Sequence, residues 1–188
     1  MILVGSKIGV ENYHPPKDVY GIIANPVCTE FSIARSGGKH GDLEKGMFLV
    51  RECQRIIAEC NPVFWVIENP ASGALRKFLG KPAMTYQPWQ FGSPWTKHTA
   101  LWGKFNKPAK IYSKWEDVPN KIPELYIRAG YGKPGLYQLH AAAVKHIPEF
   151  ASFADDILKL TTKNHFADAE FRSLCSQKFA MAFFQANR

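Results

Sequence analysis

The stretch over residues 19–67 reads as strand, helix, strand, and this pattern most narrows what the chain can become. Residues 19–24 are an apolar run stopped by Asn25-Pro26, the mark of a buried strand that ends in a turn. Asp42 stands where a helix N-cap belongs, and Leu43, Met47, Val50, Gln54, Ile57 and Cys60 follow at helical spacing. Asn61-Pro62 stops that helix, and residues 63–67 form the next apolar run. A strand, a helix and a strand with short connections make a βαβ unit. Its strands are expected to be parallel and its crossover right-handed. The fold class expected is therefore α/β.

The remainder is less patterned. Residues 1–4 are a short apolar run and read as a strand, and residues 5–17 read as a loop punctuated by Pro15-Pro16. Ser-Gly-Gly-Lys-His-Gly over 36–41 reads as another loop. Residues 84–91 and 99–105 are expected as strands, and 106–134, rich in Pro, Lys and Tyr, as an irregular excursion. Helices are expected over 139–146, 148–160 and 176–186, with Phe150, Phe153, Phe179, Phe183 and Phe184 as core. A chain of 188 residues suits one domain over 1–188. No apolar stretch approaches the ~20 residues that cross a bilayer. The first residues lack the basic segment and long apolar core of a signal peptide. A cytoplasmic protein without a membrane partner is the expectation.

Charge points to a partner class. The net charge is +8, and no Asp or Glu occurs over residues 71–115. That stretch carries Arg76, Lys77, Lys81, Lys97, Lys104, Lys107, Lys110 and Lys114 among Trp89, Trp95, Trp102 and Trp115. Cations neutralise phosphates and flat rings stack on bases, so nucleic acid is one reading. A solvated basic face over an aromatic core is the other. The four cysteines, Cys28, Cys53, Cys60 and Cys175, have no Cys-x-x-Cys spacing, so neither a metal site nor a disulfide framework is expected. Cys53 and Cys60, seven apart, share a helix face and read as core.

Two short tracts hold the reactive groups. Asn25-Pro26-Val27-Cys28-Thr29-Glu30-Phe31-Ser32 follows the first apolar run, and Glu68-Asn69-Pro70 closes the second. The ends of strands are where open α/β sheets keep their chemistry. A thiolate is a strong nucleophile. A carboxylate at the neighbouring strand end is able to support a ring nitrogen. Thiol attack at C6 of a pyrimidine, with an acid at N3, leaves an enamine whose C5 accepts a methyl group.

On these residues the chain resembles the DNA cytosine-5 methyltransferases, and most of all their short phage and prophage members. The first tract is similar to their Pro-Pro-Cys-x-x-Phe-Ser motif, and Trp65-Val66-Ile67-Glu68-Asn69-Pro70 to their Glu-Asn-Val/Pro motif. Residues 86–103 resemble the region of their Gln-x-Arg-x-Arg motif, and 172–187 their C-terminal segment. The resemblance implies a Rossmann-like S-adenosylmethionine-dependent methyltransferase fold, a mostly parallel sheet flanked by helices. It implies Cys28 as nucleophile, Glu68 on N3 and the exocyclic amine, and Asn69 as a support of the motif's turn. Lys97 and Thr99 fall where the family places two arginines, and Arg76, Lys77 and Lys104 join them as expected DNA contacts. Asn25 and Pro26 fall on the cofactor side, with S-adenosylmethionine as cofactor and DNA, flipped at the target base, as partner.

The chain also departs from that pattern. It lacks the Phe-x-Gly-x-Gly loop, so the fold is expected to be N-terminally truncated and a homo-oligomer becomes conceivable. Asn25 replaces a proline, Val27 intervenes before Cys28, and Thr99 replaces an arginine. Residues 106–165 are what is available for reduced target recognition. A catalytically inactive DNA-binding homologue and a thiol-dependent enzyme on another substrate remain the alternatives.

Overall fold

The computed structural model describes residues 9–32, 41–127, 136–140, 143, 146–150 and 173–188. The strand expected over 1–4, most of the loop over 36–41 and most of the helix over 148–160 lie outside them. The chain divides into two compact units. One comprises Met1–Thr85, His98–Asn106 and Asn187; the other comprises Tyr86–Lys97, Lys107–Ala186 and Arg188.

The first unit is built on the βαβ pattern. Strand β1 (Gly21–Ala24) leads through the Cys28 tract to helix α1 (Leu43–Cys60), which returns to strand β2 (Phe64–Pro70). Asp42 caps α1 by accepting from the Lys45 N–H at 3.1 Å, satisfying one of the orphan donors of the first turn. Asn61, in the left-handed conformation at φ 46°, ends the helix. The two strands pair in parallel, Gly21 opposite Phe64 and Ala24 opposite Ile67.

The sheet as a whole is α/β and mixed. A short helix α2 (Arg76–Leu79) precedes strand β3 (Met84–Tyr86), and strand β4 (Thr99–Lys104) follows. The strand order is β1-β2-β4-β3. Strand β4 runs antiparallel to β2, with Pro70 opposite Thr99 and Trp65 opposite Lys104. The mostly parallel sheet that the resemblance implies is thus not what the described strands form. The chain reverses direction over 71–98, so that β4 returns antiparallel to β2.

Two element boundaries shift for local reasons. The strand expected to stop at residue 67 continues to Pro70 because β4 pairs with it from Trp65 to Pro70. Pro70 is its last residue, a position that tolerates a missing N–H. The strand expected over 84–91 stops at Tyr86, and Pro88–Phe91 forms a 3-10 turn. There Gln87 and Gln90 make reciprocal cap bonds, and Pro88 suits the start of a helical turn.

One face of α1 meets the sheet. Met47, Val50 and Ile57 from α1 are buried with Ile67 from β2, Ala100 and Trp102 from β4, and Phe31, Ala74 and Leu75 from the connections. Each such large side chain contributes about 1.5–3 kcal/mol by leaving water. Gly103, at φ 149°, is required by a close approach: a Cβ there would lie 2.0 Å from the Trp65 carbonyl oxygen.

The second unit has its own core of Trp95, Leu125, Leu139, Ala143, Ile147 and Phe150. It contains a two-stranded antiparallel ribbon, β5 (Tyr126–Ile127) with β6 (Leu136–Tyr137), and helix α3 (Gln177–Ala186). Leu139 and His140 are not helical. The Gln138 N–H donates to the Leu125 carbonyl at 2.9 Å and holds the chain beside the ribbon. Among the described residues no helix is long and apolar enough to cross a membrane.

Candidate functional site

The Cys28 tract leaves β1 as a single tight turn. The N–H groups of Phe31 and Ser32 both donate to the Cys28 carbonyl at 3.0 Å. The turn has one apolar side, because Phe31 is wholly buried in the first core. Cys28 itself is half-buried, Asn25 is exposed and Pro26 is buried.

Glu68 and Asn69 sit on β2, one and two residues past the partner of β1's last residue. They are within the strand rather than beyond it. The two tracts are bonded to each other twice. The buried Asn69 donates from Nδ2 to the Pro26 carbonyl at 3.0 Å, and the Ala74 N–H donates to the Phe31 carbonyl at 2.9 Å. A buried carbonyl left without a donor costs about 1–3 kcal/mol, so the Asn69 bond holds the start of the Cys28 turn against β2. The Asn69 Oδ1 atom is buried and has no hydrogen-bond partner among the described residues. Glu68, half-buried, lies opposite Leu101 of β4.

The residues grouped by sequence as DNA contacts fall in different places. Arg76 and Lys77 are exposed on α2. Thr99 is fully buried beside Pro70, in the sheet rather than on the surface. Lys104 is exposed at the opposite end of β4, about 17 Å along the strand from Thr99 at ~3.4 Å per residue. Lys97 belongs to the second unit, where its Nζ donates to the Ser173 carbonyl at 3.1 Å.

Of the tryptophans of the basic stretch, two are buried and Trp89 and Trp115 are half-buried. Trp95 is fully buried and Trp102 is 5% exposed. Trp102 donates from Nε1 to the Gly80 carbonyl at 3.0 Å. Trp89 and Trp115 meet edge to face, with ring centres 6.2 Å apart. Lys77, Lys81, Lys104, Lys107, Lys110 and Lys114 are exposed. Trp95 and Trp102 are core residues, each of its own unit. Large indoles gain more from burial than from standing in water.

Three features of the site were not singled out from sequence. Gly46 is buried on α1, and a Cβ there would lie 2.8 Å from Phe31 Cζ and 3.0 Å from Glu30 Cβ. An isolated glycine inside a helical pattern is a signal of such close packing. The Glu30 carboxylate accepts from the Asp42 N–H at 2.7 Å, and the Glu30 carbonyl accepts from the Gly41 N–H at 3.1 Å. Phe31 was read only as part of a motif, yet its side chain ties the turn to the core.

The other thiols are placed differently. Burial pushes the Cys53 thiol up, with the Glu52 charge adding to it. Burial likewise pushes up Cys60, with the Glu59 charge adding. Both are thereby held as thiols rather than thiolates. Cys175 is exposed in the second unit. Among the described residues no three His, Cys, Asp or Glu side chains gather as a metal site would need.

The second unit also carries a groove of about 880 Å³, lined in part by Phe91, Ile111, Tyr112, Lys121, Lys178 and Met181. It includes none of Cys28, Glu68 or Asn69. No known protein family and no curated protein matches the chain.

Proposed function

We propose that this chain carries the catalytic pair of a DNA cytosine-5 methyltransferase. The observation that supports this reading best is the Asn69 Nδ2 bond to the Pro26 carbonyl. It joins the Cys28 and Glu68 tracts at the ends of two parallel neighbouring strands, where open α/β sheets carry out their chemistry.

In this reading the Cys28 thiolate attacks C6 of a cytosine, forming an S–C6 bond. The electron pair displaced from the C5–C6 double bond moves toward N3, where the Glu68 carboxyl supports it. The resulting enamine is nucleophilic at C5. Asn69 orients the Cys28 turn, and Arg76 and Lys77, both exposed, are suited to phosphates. Lys97 and Lys104 remain proposed members of the DNA-binding set, whereas Thr99, fully buried beside Pro70, is not placed to touch DNA. Once C5 is methylated, release of the C5 proton and of the Cys28 sulfur from C6 would restore the C5–C6 double bond, and the methyl group would come from S-adenosylmethionine. The described residues do not by themselves make its cradle. The Pro26 carbonyl is already taken by Asn69, and Asn25 offers only an exposed amide.

The test is covalent trapping on a duplex containing 5-fluorocytosine, with S-adenosylmethionine present. Wild type is expected to give a complex stable to denaturing electrophoresis, and Cys28→Ala none. If neither protein is trapped, and no tritium is transferred from labelled cofactor to DNA, the catalytic reading is wrong. An inactive DNA-binding homologue is then the surviving description if duplex binding persists.

A further inference from the structure

We infer that Glu30 is a positioning residue for Cys28, acting through the N-terminus of α1. This rests on Cys28 being the reactive thiol of the proposed function. In an ordinary capping box the third residue of a helix reaches back to the N-cap backbone N–H. In α1 that third residue is Lys45, a cation with no acceptor. The acceptor comes instead from Glu30, whose Oε2 takes the Asp42 N–H at 2.7 Å, while Asp42 Oδ1 takes the Lys45 N–H at 3.1 Å. The capping box is thus completed from the turn that carries the thiol.

The consequence is mechanical. Glu30 is two residues from Cys28, inside the turn closed by the Phe31 and Ser32 bonds to the Cys28 carbonyl. Its neighbour Phe31 is locked in the core. A carboxylate at a helix N-terminus is favoured by the helix dipole as well as by the hydrogen bond. The Glu30 carbonyl takes the Gly41 N–H in addition, so one residue holds the chain just before α1 by both backbone and side chain. Phe31 fixes one side of the Cys28 turn and Glu30 fixes the other.

The experiment compares wild type with Glu30→Ala, Glu30→Asp and Glu30→Gln in the full chain. Iodoacetamide alkylation of Cys28 is followed by peptide mass spectrometry under native conditions, with Cys60, buried in the same unit, as internal control. The trapping rate on 5-fluorocytosine duplex is measured in parallel. Glu30→Ala and the shortened Glu30→Asp are expected to raise Cys28 alkylation by up to roughly tenfold, the loss of about 1.4 kcal/mol of restraint. Cys60 should not change. Glu30→Gln keeps an acceptor and should stay within about twofold of wild type. A general loss of stability would also unmask buried Cys60, so equal changes at Cys28 and Cys60 would overturn the inference. So would Cys28 alkylation unchanged in both Ala and Asp variants. If the alkylation pattern holds while wild type fails to trap, the positioning role stands and the methyltransferase reading falls.

Discussion

Replacing Gly46 by alanine sets two effects of known size against each other. A glycine inside a helix costs about 0.5–1 kcal/mol relative to alanine. On propensity alone Gly46→Ala would therefore stabilise α1. The structure predicts the opposite sign. The new Cβ would lie 2.8 Å from Phe31 Cζ and 3.0 Å from Glu30 Cβ. Neither neighbour yields cheaply, because Phe31 is wholly buried and the Glu30 Cβ is fixed to the backbone of the Cys28 turn. Overpacking of this kind costs about 1–3 kcal/mol. The balance is a net loss centred near ~1 kcal/mol, or a fall of about 0.5 M in the urea midpoint for a slope near 2 kcal/mol per molar. The assay is equilibrium urea unfolding of both proteins, with the slopes compared. Because the displaced residues carry Cys28, its alkylation rate should change in the same variant. If Gly46→Ala instead raises stability by the full propensity gain and leaves Cys28 alkylation as in wild type, α1 does not brace the turn.

Gly103→Ala should be far more damaging, by at least ~3 kcal/mol, since its Cβ would meet the Trp65 carbonyl at 2.0 Å across the β2–β4 pair. A variant that unfolds at the wild-type temperature would refute that register. Glu149 gives a pH prediction. Burial pushes its carboxyl up, although the Ser93 hydroxyl and the Gln177 N–H both donate to it at 2.8 Å. The unfolded chain releases this proton near pH ~4.3 and the folded protein only above that. Stability from this group is therefore full below the unfolded value and is lost as pH rises through the folded one. Glu149→Gln, whose carbonyl oxygen is able to take the Gln177 N–H while its amide N–H donates to the Ser93 hydroxyl, should remove that fall. The wild-type-minus-variant stability, measured by denaturation from about pH 4 upward, should decline with pH, and a flat difference would contradict the assignment.

How much of this was legible in the sequence depended on how local the cause was. The bounds of α1 follow from Asp42 and Asn61, two residues whose backbone preferences act on their own neighbours, and both ends fall where the pattern placed them. The parallel pairing of β1 with β2 follows from the short connections around that helix. The direction of β4 does not, because it depends on a reversal over 71–98, where periodicity is weak and the chain changes units twice. The same non-local pairing carries β2 through Glu68 and Asn69, which the apolar run alone marked as lying beyond the strand. For the tryptophans, sequence gave proximity to lysines but not depth, and depth decides whether an indole is able to stack on a base. The site divides in the same way. Cys28 and Glu68 were visible as residue types after apolar runs. The Asn69 bond to Pro26 joins residues 43 apart, and the Glu30 bond to Asp42 joins residues 12 apart. No periodicity reports such bonds. These distant bonds convert two motifs into one arrangement, since they hold a half-buried thiol in a turn fixed on three sides by β2, by the core and by the helix N-terminus.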